Sequence, residues 1–275
     1  MKKTRRKKKK MKGIVLSGGT ATRLFPLTAT TSKQLLPVYN KQMIFYPLNT
    51  LIKAGIKDIL MIVAPEHSGQ YLNLLGSVFK KYSINISFEV QSVPRGLADA
   101  FIIGENFIGD GSVTMILGDN IFEDDFSVAI NSFKTGAHIF AKRVSDPERF
   151  AVVKFDLNNQ ATRIVEKPQQ WISDFAIPGI YIYDKRVVVA AKKARPSARG
   201  EIEITSLHNY YLKLRELKVS SFHGEWLDAG TFDSLLEAGN IVKNKGLYKK
   251  FHPIVEKAIK EFNEQLKILA KKKLN

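Results

Sequence analysis

Residues 13–28 read GIVLSGGTATRLFPLT, in which a short apolar run leads into two adjacent glycines and then a single arginine. The apolar run is typical of a buried strand that enters a loop. Gly18 and Gly19 leave backbone N–H groups open to an anion, because no bulky side chain blocks the approach. The stretch matches neither the G-x-x-x-x-G-K-[ST] phosphate loop nor the G-x-G-x-x-G dinucleotide motif. Taken alone, it is equally consistent with a tight turn that carries Arg23 on the surface.

The chain that follows this stretch alternates apolar strands with helical patterns. Further buried strands are predicted at 57–65 and 112–120, another strand at 84–91, and helices at 43–55, 68–81 and 96–107. Such alternation predicts an α/β fold with a mostly parallel sheet and helices on both faces.

After residue 135 the pattern changes, and strands follow one another with only short connections. This half of the chain is therefore expected to add antiparallel strands to the sheet. The predicted strands are 137–144, 151–157, 162–168 and 179–184, and the predicted helices are 185–194, 202–216 and 231–245. From Pro253 onward, apolar residues recur at helical spacing, which predicts an amphipathic helix with a lysine-rich outer face. We expect its apolar stripe to pack on the body or on a second subunit, rather than on a membrane.

Composition excludes several classes of protein. The 275 residues include no cysteine, so disulfides, iron–sulfur clusters and thiolate zinc sites are excluded. No apolar run approaches the length that spans a membrane. The basic N-terminus is not followed by the hydrophobic segment of a secretory leader, so a cytoplasmic location is expected.

The net charge of +17 is concentrated at the two ends of the chain. Residues 1–10 carry eight basic and no acidic groups, and residues 243–275 carry ten basic and three acidic groups. Residues 11–242 therefore have a net charge of only +2. A bare basic run is most often a solvated arm, so nucleic acid is not the expected partner. The predicted partition is a basic extension at 1–10, one domain at 11–242 and a helical appendage at 243–275.

Two acidic turns suggest a metal site. Asp119 in LGDN and Asp228 in WLDAG each follow an apolar run, which places both carboxylates at strand ends. Two carboxylates that meet from distant segments suit Mg²⁺, which prefers one or two carboxylates and substrate phosphate oxygens. The alternative is that both are turn-forming aspartates without a ligand.

Two further stretches could bind phosphate or sugar. Lys33 in SKQLLP (32–37) could reach over the first loop beside Arg23, although a solvent-exposed lysine is the simpler interpretation. In VEKP (165–168), Glu166 could accept hydrogen bonds from sugar hydroxyls and Lys167 could hold a phosphate. An ordinary exposed ion pair is the alternative here. The whole set suits transfer between a nucleotide and a sugar phosphate, which relies on positioning and charge neutralisation.

The ordered set of motifs resembles the sugar-nucleotidyltransferase family, in particular its glucose-1-phosphate thymidylyltransferases. The matching stretches span 13–240 and comprise GIVLSGGTATRLFPLT, SKQLLPVYNKQMIFYPL, VQSVPRGLADAF, LGDNIF, DPERF, VEKP, PGIYIYD, RGEIEIT and WLDAGTFDSLLEAGN. The resemblance implies a three-layer α/β/α sandwich with a mostly parallel, mixed central sheet, and makes 11–242 the nucleotidyltransferase domain. It also implies a homo-oligomer that converts dTTP and glucose 1-phosphate into dTDP-glucose and pyrophosphate with Mg²⁺.

The resemblance implies a role for each matching residue. The nucleotide would contact Leu16, Gly18, Gly19 and Asp119, and its pyrimidine base would be read by Gln91 and Gly96. The triphosphate would be held by Arg23 and Lys33, and Mg²⁺ by Asp119 and Asp228; these four are the expected catalytic residues. The sugar phosphate would meet Ala151, Glu166, Lys167, Gly179 and Tyr181.

The chain departs from the family pattern at several of these positions. Ala21 stands where glycine is usual. If the backbone there is left-handed, alanine is strained by about 1 kcal/mol or more. Phe150 and Ala151 replace a Tyr-Gly pair on the sugar side, and the lysine-rich C-terminal helix differs from the usual tail. UTP or another sugar 1-phosphate therefore stays open as a substrate, as does a non-catalytic, nucleotide-sugar-binding or regulatory subunit.

Overall fold

The strand of the opening stretch lies at the centre of the molecule. In the computed structural model, which describes residues 10–19 and 21–274, it spans Lys12–Ser17 and is almost wholly buried. Parallel neighbours flank it on both sides, with Leu16 paired to Ile62 on one side and to Leu117 on the other. A strand with neighbours on both edges and helices on both faces has no side exposed to water. This explains why its sequence is a continuous apolar run and does not alternate with polar residues.

The strands are β1 Lys12–Ser17, β2 Pro37–Val38, β3 Lys41–Gln42, β4 Asp58–Val63, β5 Asn85–Val90, β6 Val113–Leu117, β7 Asn120–Phe122, β8 Ala137–Arg143, β9 Ala151–Phe155, β10 Ala161–Glu166, β11 Phe175–Ala176, β12 Ile180–Tyr183, β13 Leu217–Ser221 and β14 Trp226–Asp228. The α-helices are α1 Phe45–Lys53, α2 Ser68–Leu75, α3 Asp99–Ile103, α4 Glu105–Ile108, α5 Ser127–Ser132, α6 Arg186–Lys193, α7 Ile204–Lys213, α8 Phe232–Asn244 and α9 Pro253–Leu274.

One large mixed sheet has the order β10-β9-β11-β8-β12-β6-β1-β4-β5, with β13 also paired to β8. The strands β6, β1, β4 and β5 are parallel, as the first half of the sequence predicts. β12 is antiparallel to both β6 and β8, so the change expected after residue 135 is confirmed. The pairs β2–β3 and β7–β14 form two small separate sheets.

Alternate side chains of β1 enter two different cores. Val15 packs with residues of α1, α8 and α9 on one face, whereas Ile14 and Leu16 pack with α3, α6 and α7 on the other. Because strand side chains alternate with period two, one strand can contribute to both cores. The three-layer α/β/α sandwich is therefore confirmed.

Two helix predictions are wrong in extent. The helix predicted at 68–81 ends at Leu75, and only a short 3₁₀ turn at Lys80–Tyr82 follows. The helix predicted at 96–107 begins only at Asp99 and is interrupted at Gly104, between α3 and α4. A Cβ at Gly104 would lie 3.0 Å from the Ala100 carbonyl and 3.1 Å from Ile14 Cδ1, so the helical segment packs closely on β1 at this glycine.

The C-terminal helix α9 packs its first half onto the body. Val255 and Ala258 are fully buried in the same core as α1, and Lys41 pairs with Glu256 at 3.2 Å. No helix in the described ranges is long and apolar enough to cross a membrane. The basic extension predicted at 1–10 lies almost wholly outside the described residues, and the domain boundaries stay a prediction.

Candidate active site

In the loop after β1, Gly19 and Ala21 both have positive φ angles, of 102° and 48°. The Ala21 carbonyl accepts hydrogen bonds from the Leu24 N–H and from Thr28 Oγ1, both at 3.1 Å. These bonds hold the loop closed in a conformation that L residues other than glycine rarely adopt. The sequence predicts strain at Ala21 if its backbone is left-handed, and the backbone is left-handed here.

The two aspartates meet through the small β7–β14 sheet. Asp119 immediately precedes β7, and Asp228 ends β14 opposite Asn120 in antiparallel register. Lys33 Nζ forms an ion pair and hydrogen bond with Asp119 Oδ2, so the SKQLLP segment reaches the same point. These residues lie 86 and more positions apart in the sequence and converge at the carboxyl ends of the central strands. Ligands of open α/β sheets bind at this edge.

The pKa values of the two carboxyl groups diverge. Burial raises the pKa of Asp119, but the charge and hydrogen bond of Lys33 outweigh it and hold the pKa below its ordinary value. Burial and then the negative charge of Asp119 raise the pKa of Asp228 from 3.8 to about 6. Burial lowers the pKa of Lys33, yet attraction to Asp119 leaves it above its ordinary value. The pair thus carries unrelieved negative charge at Asp228, which a dication would offset.

Arg23 reaches this carboxylate pair from the first loop. A side chain added at Gly230 would lie 3.0 Å from Arg23 Nη2 and 3.3 Å from Asp228 Oδ1. The glycine of the WLDAG turn therefore makes room for the guanidinium beside the second aspartate. Arg23, Asp119 and Asp228 line a common cavity, with Lys33 in contact with Asp119 behind them.

The segment expected to read the base is built around two glycines. A Cβ at Gly18 would lie 2.8 Å from Gln91 Oε1, and one at Gly96 would lie 2.6 Å from the Ile202 carbonyl. Gln91 is buried, and its Nε2 donates to Asp99 Oδ2 at 3.0 Å, which fixes the orientation of its amide. Leu16 is also buried, and its carbonyl accepts from Gly118 N at 2.9 Å.

The cavity has a volume of about 480 Å³, within the usual range for small-molecule sites. It brings together eight of the predicted residues: Arg23, Asp119, Ala151, Glu166, Lys167, Gly179, Tyr181 and Asp228. A Cβ at Gly179 would lie 2.5 Å from Leu117 Cγ, so only glycine fits there. The other six predicted residues lie outside its lining: Leu16, Gly18, Gly19, Lys33, Gln91 and Gly96.

Glu166 has one carboxylate oxygen, Oε2, that is buried without a hydrogen-bond donor among the described residues. Burial and then the charge of Glu203 raise its pKa above the ordinary value. A buried carboxylate oxygen without a donor is costly, so a hydroxyl donor from a ligand would stabilise it.

Two residues of the cavity, Asn120 and Arg199, were not among the site residues predicted from the sequence. Asn120 Oδ1 accepts from Gly179 N at 3.0 Å and from Trp226 Nε1 at 2.7 Å, and its Nδ2 donates to Asp119 Oδ1 at 3.0 Å. Asn120 therefore links Asp119 to Gly179 and Trp226, and its position beside Asp119 in LGDN was the available signal. Arg199 lies 2.8 Å from Glu203 and 3.8 Å from Glu166, and its place at the start of the RGEIEIT stretch was the available signal.

Aromatic rings close one wall of the cavity. The rings of Phe150 and Trp226 are 4.8 Å apart, and the Arg149 guanidinium lies over Phe150 at 5.3 Å. The Lys167 N–H donates to the Phe150 carbonyl at 3.1 Å, and Lys167 has a positive φ of 40°. The loss of the phenol hydroxyl at Phe150 makes this wall apolar.

A metal would be coordinated by few protein groups. Among the described residues there is no cluster of three or more histidine, aspartate or glutamate side chains able to hold a metal ion. Asp119 and Asp228 form a two-carboxylate donor set, which is what Mg²⁺ uses when substrate phosphates and water supply the other ligands. The residues therefore fit the expected metal.

Known proteins resemble this chain over nearly its whole length. Residues 12–245 match the family model described as nucleotidyl transferase. The chain belongs to this family. A glucose-1-phosphate thymidylyltransferase of Neisseria gonorrhoeae is 50% identical over 248 residues, which cover 88% of this chain and 86% of that protein. One from Mycolicibacterium smegmatis is 44% identical over 238 residues, which cover 85% and 82%.

Solved structures confirm the fold of this nucleotidyl transferase. One solved structure is described as a glucose-1-phosphate thymidylyltransferase from Bacillus anthracis in complex with sucrose. It superposes on this chain with a TM-score of 0.81 at 40% sequence identity, and the match covers 86% of this chain and 96% of that one. A UDP-glucose pyrophosphorylase complexed with UDP-glucose superposes with a TM-score of 0.75 at 21% identity, covering 86% and 99%, which shows a shared fold alone. The resemblance seen in the motifs is thereby confirmed.

Proposed function

We propose that this nucleotidyl transferase converts dTTP and glucose 1-phosphate into dTDP-glucose and pyrophosphate. The observation that carries the proposal is the convergence of Arg23, Lys33, Asp119 and Asp228 on one edge of the sheet, beside a cavity with a free carboxylate acceptor. The names of relatives up to 50% identical over most of the chain agree with it.

On the nucleotide side, we assign the triphosphate to the first loop. Backbone N–H groups at Gly18 and Gly19 would face phosphate oxygens, and Arg23 and Lys33 would offset their charge. Gln91 and Gly96 would read the pyrimidine edge, with the Gln91 amide held in place by Asp99. Thymine and uracil differ only by a methyl group, so UTP is the nearest alternative donor.

On the sugar side, Glu166 would accept hydroxyl hydrogen bonds with its free Oε2, and Lys167 would hold the sugar phosphate. The backbone at Ala151 and Gly179 and the ring of Tyr181 complete the cavity. The apolar Phe150–Trp226 wall offers no hydroxyl to the sugar, which keeps another sugar 1-phosphate as an alternative acceptor.

We assign Mg²⁺ to Asp119 and Asp228, where a bound dication would neutralise phosphate charge. In the reaction, an oxygen of the sugar phosphate attacks the α-phosphorus of dTTP. A new P–O bond forms, the bond from the α-phosphorus to the bridging oxygen breaks, and pyrophosphate leaves with that electron pair. Arg23 and Lys33 would stabilise the charge that develops on pyrophosphate, so no protein nucleophile is required.

The first test is product identification. The purified chain with Mg²⁺, dTTP and glucose 1-phosphate should form dTDP-glucose, detected by chromatography and mass spectrometry. Asp119→Asn and Asp228→Asn should each lower the rate by at least 100-fold while leaving the fold intact by circular dichroism. Absence of dTDP-glucose in the wild-type reaction would refute the proposal and would favour the non-catalytic alternative.

We also propose a cytoplasmic location, where nucleoside triphosphates are available, and a homo-oligomeric state. The support for assembly is the outer part of α9, where Leu266 and Ile268 are about half exposed. Analytical ultracentrifugation tests the state, and a monomer at micromolar concentration would contradict it.

A further inference from the structure

A second cavity opens at the opposite edge of the sheet from the candidate active site. Its volume is about 800 Å³, and Met11, Asp58 and Ser112 line it where β1, β4 and β6 begin. None of the residues assigned to the proposed reaction contributes to its lining. Its size falls within the range of small-molecule sites.

The cavity has an apolar floor and one rigid wall. Ile56 and Ile130 are buried beneath it, and the partly buried ring of Phe133 lies at its edge. The wall is held by Asp184, a buried carboxylate that accepts from Gly136 N at 2.8 Å and from Tyr211 Oη at 2.9 Å. Such a satisfied buried carboxylate is preorganised, so the wall exists before any ligand arrives.

The rim carries uncommitted positive charge. Five basic residues and three aspartates line the cavity, which leaves a net charge of +2. Lys185 pairs with Asp110, Arg186 pairs with Asp184, and Asp58 accepts a hydrogen bond from Asn85. The other three basic residues, Lys10, Lys57 and Lys134, form no ion pair with a carboxylate in the part of the chain that the structure describes. Lys10 also ends a stretch in which eight of ten residues are basic and none is acidic. Several like charges on one rim repel one another and raise the local concentration of anions.

We propose that this cavity binds a phosphate-bearing ligand of nucleotide size, at a site separate from the catalytic one. The three lysines meet the phosphate groups, and the apolar floor with Phe133 contacts the less polar part of the ligand. This combination of apolar surface and a few convergent charges is the usual composition of such sites. The inference does not depend on the reaction proposed above.

The test measures binding of ATP at low ionic strength by isothermal titration calorimetry. The double variant Lys57→Glu/Lys134→Glu should weaken one class of ATP sites at least tenfold and leave turnover within twofold of wild type. The matched control Lys80→Glu/Lys154→Glu makes the same change of charge on exposed lysines elsewhere and should leave that class unchanged. The milder Lys57→Gln/Lys134→Gln variant should weaken binding to the same class of ATP sites by an intermediate factor. It provides a second measurement if the Lys→Glu variant does not fold.

Two further proteins separate this site from its surroundings. Arg23→Ala should lose turnover but keep the class of ATP sites assigned to the second cavity. Loss of catalysis can therefore be distinguished from loss of binding at that cavity. A chain that begins at Lys10 should retain ATP binding within threefold. Unchanged binding in the Lys57/Lys134 variants, an equal loss in the control, or loss on removal of residues 1–9 would each overturn the proposal.

Discussion

Replacement of Ala21 by glycine should stabilise the protein, although glycine usually weakens a fold. Ala21 has φ of 48° and ψ of 33°, a left-handed conformation that costs an L residue about 1–2 kcal/mol. Glycine removes that cost but loses about 0.4–1 kcal/mol through the greater freedom of the unfolded chain. The two ranges leave a net gain of about 0–1.6 kcal/mol, with a centre near 0.8 kcal/mol that raises Tm by about 2–3 °C in a chain of this size.

Urea and thermal unfolding followed by circular dichroism would measure the effect. Ala29→Gly is the matched control, because Ala29 lies in the same exposed loop but outside the left-handed region. It should lose about 0.4–1 kcal/mol. The two Ala21 carbonyl hydrogen bonds do not depend on the side chain, so turnover of Ala21→Gly should stay within about threefold. If Ala21→Gly is destabilised as much as Ala29→Gly, the left-handed conformation at Ala21 is wrong.

The remaining predictions concern the carboxylate pair and the sugar cavity. Because the pKa of Asp228 is raised to about 6, Asp228 should be protonated below that pH, and the apparent affinity for Mg²⁺ measured from turnover should fall as pH drops through 6. In Asp119→Asn the negative neighbour is gone, so the pKa of Asp228, followed by NMR without metal, should fall; a constant pKa would contradict the assigned cause. Gly179→Ala places a Cβ about 2.5 Å from Leu117 Cγ, so unfolding by urea should show a loss of about 1–3 kcal/mol, with a raised KM for the sugar phosphate. Gly69→Ala, whose Cβ would meet nothing within 4 Å, is the control and should be neutral or stabilising.

The parallel half of the fold could be predicted from local sequence. The strands β1, β4 and β6 are short apolar runs separated by helical patterns in the sequence, and such alternation is typical of a parallel sheet covered by helices. Helix ends were less predictable: the helical segment is interrupted at Gly104, where it packs closely on Ile14 of a distant strand. Local propensity carries no information about that contact.

The charged residues of the candidate site could be predicted from the sequence more readily than the contacts that arrange them. Asp119 and Asp228 were expected at strand ends, yet the three-residue strands that join them are too short to show a period. The left-handed conformation of Ala21 is part of a closed loop whose hydrogen bonds to Leu24 and Thr28 no sequence pattern indicates. The linking role of Asn120 depends on hydrogen bonds to Gly179 and Trp226, which lie far away in the sequence. The family resemblance indicated which residues to consider, whereas the structure showed which of them line one cavity.

The most direct test of the central claim is the specificity constant of pyrophosphate release across a grid of substrates. The grid combines dTTP, UTP, ATP and GTP with glucose 1-phosphate, galactose 1-phosphate, mannose 1-phosphate and N-acetylglucosamine 1-phosphate, all with Mg²⁺. We expect the largest kcat/KM for dTTP with glucose 1-phosphate, and UTP as the best of the other nucleotides. Equal or greater kcat/KM with UTP would contradict the thymidylyl assignment, and a greater value with another sugar phosphate would contradict glucose as the acceptor.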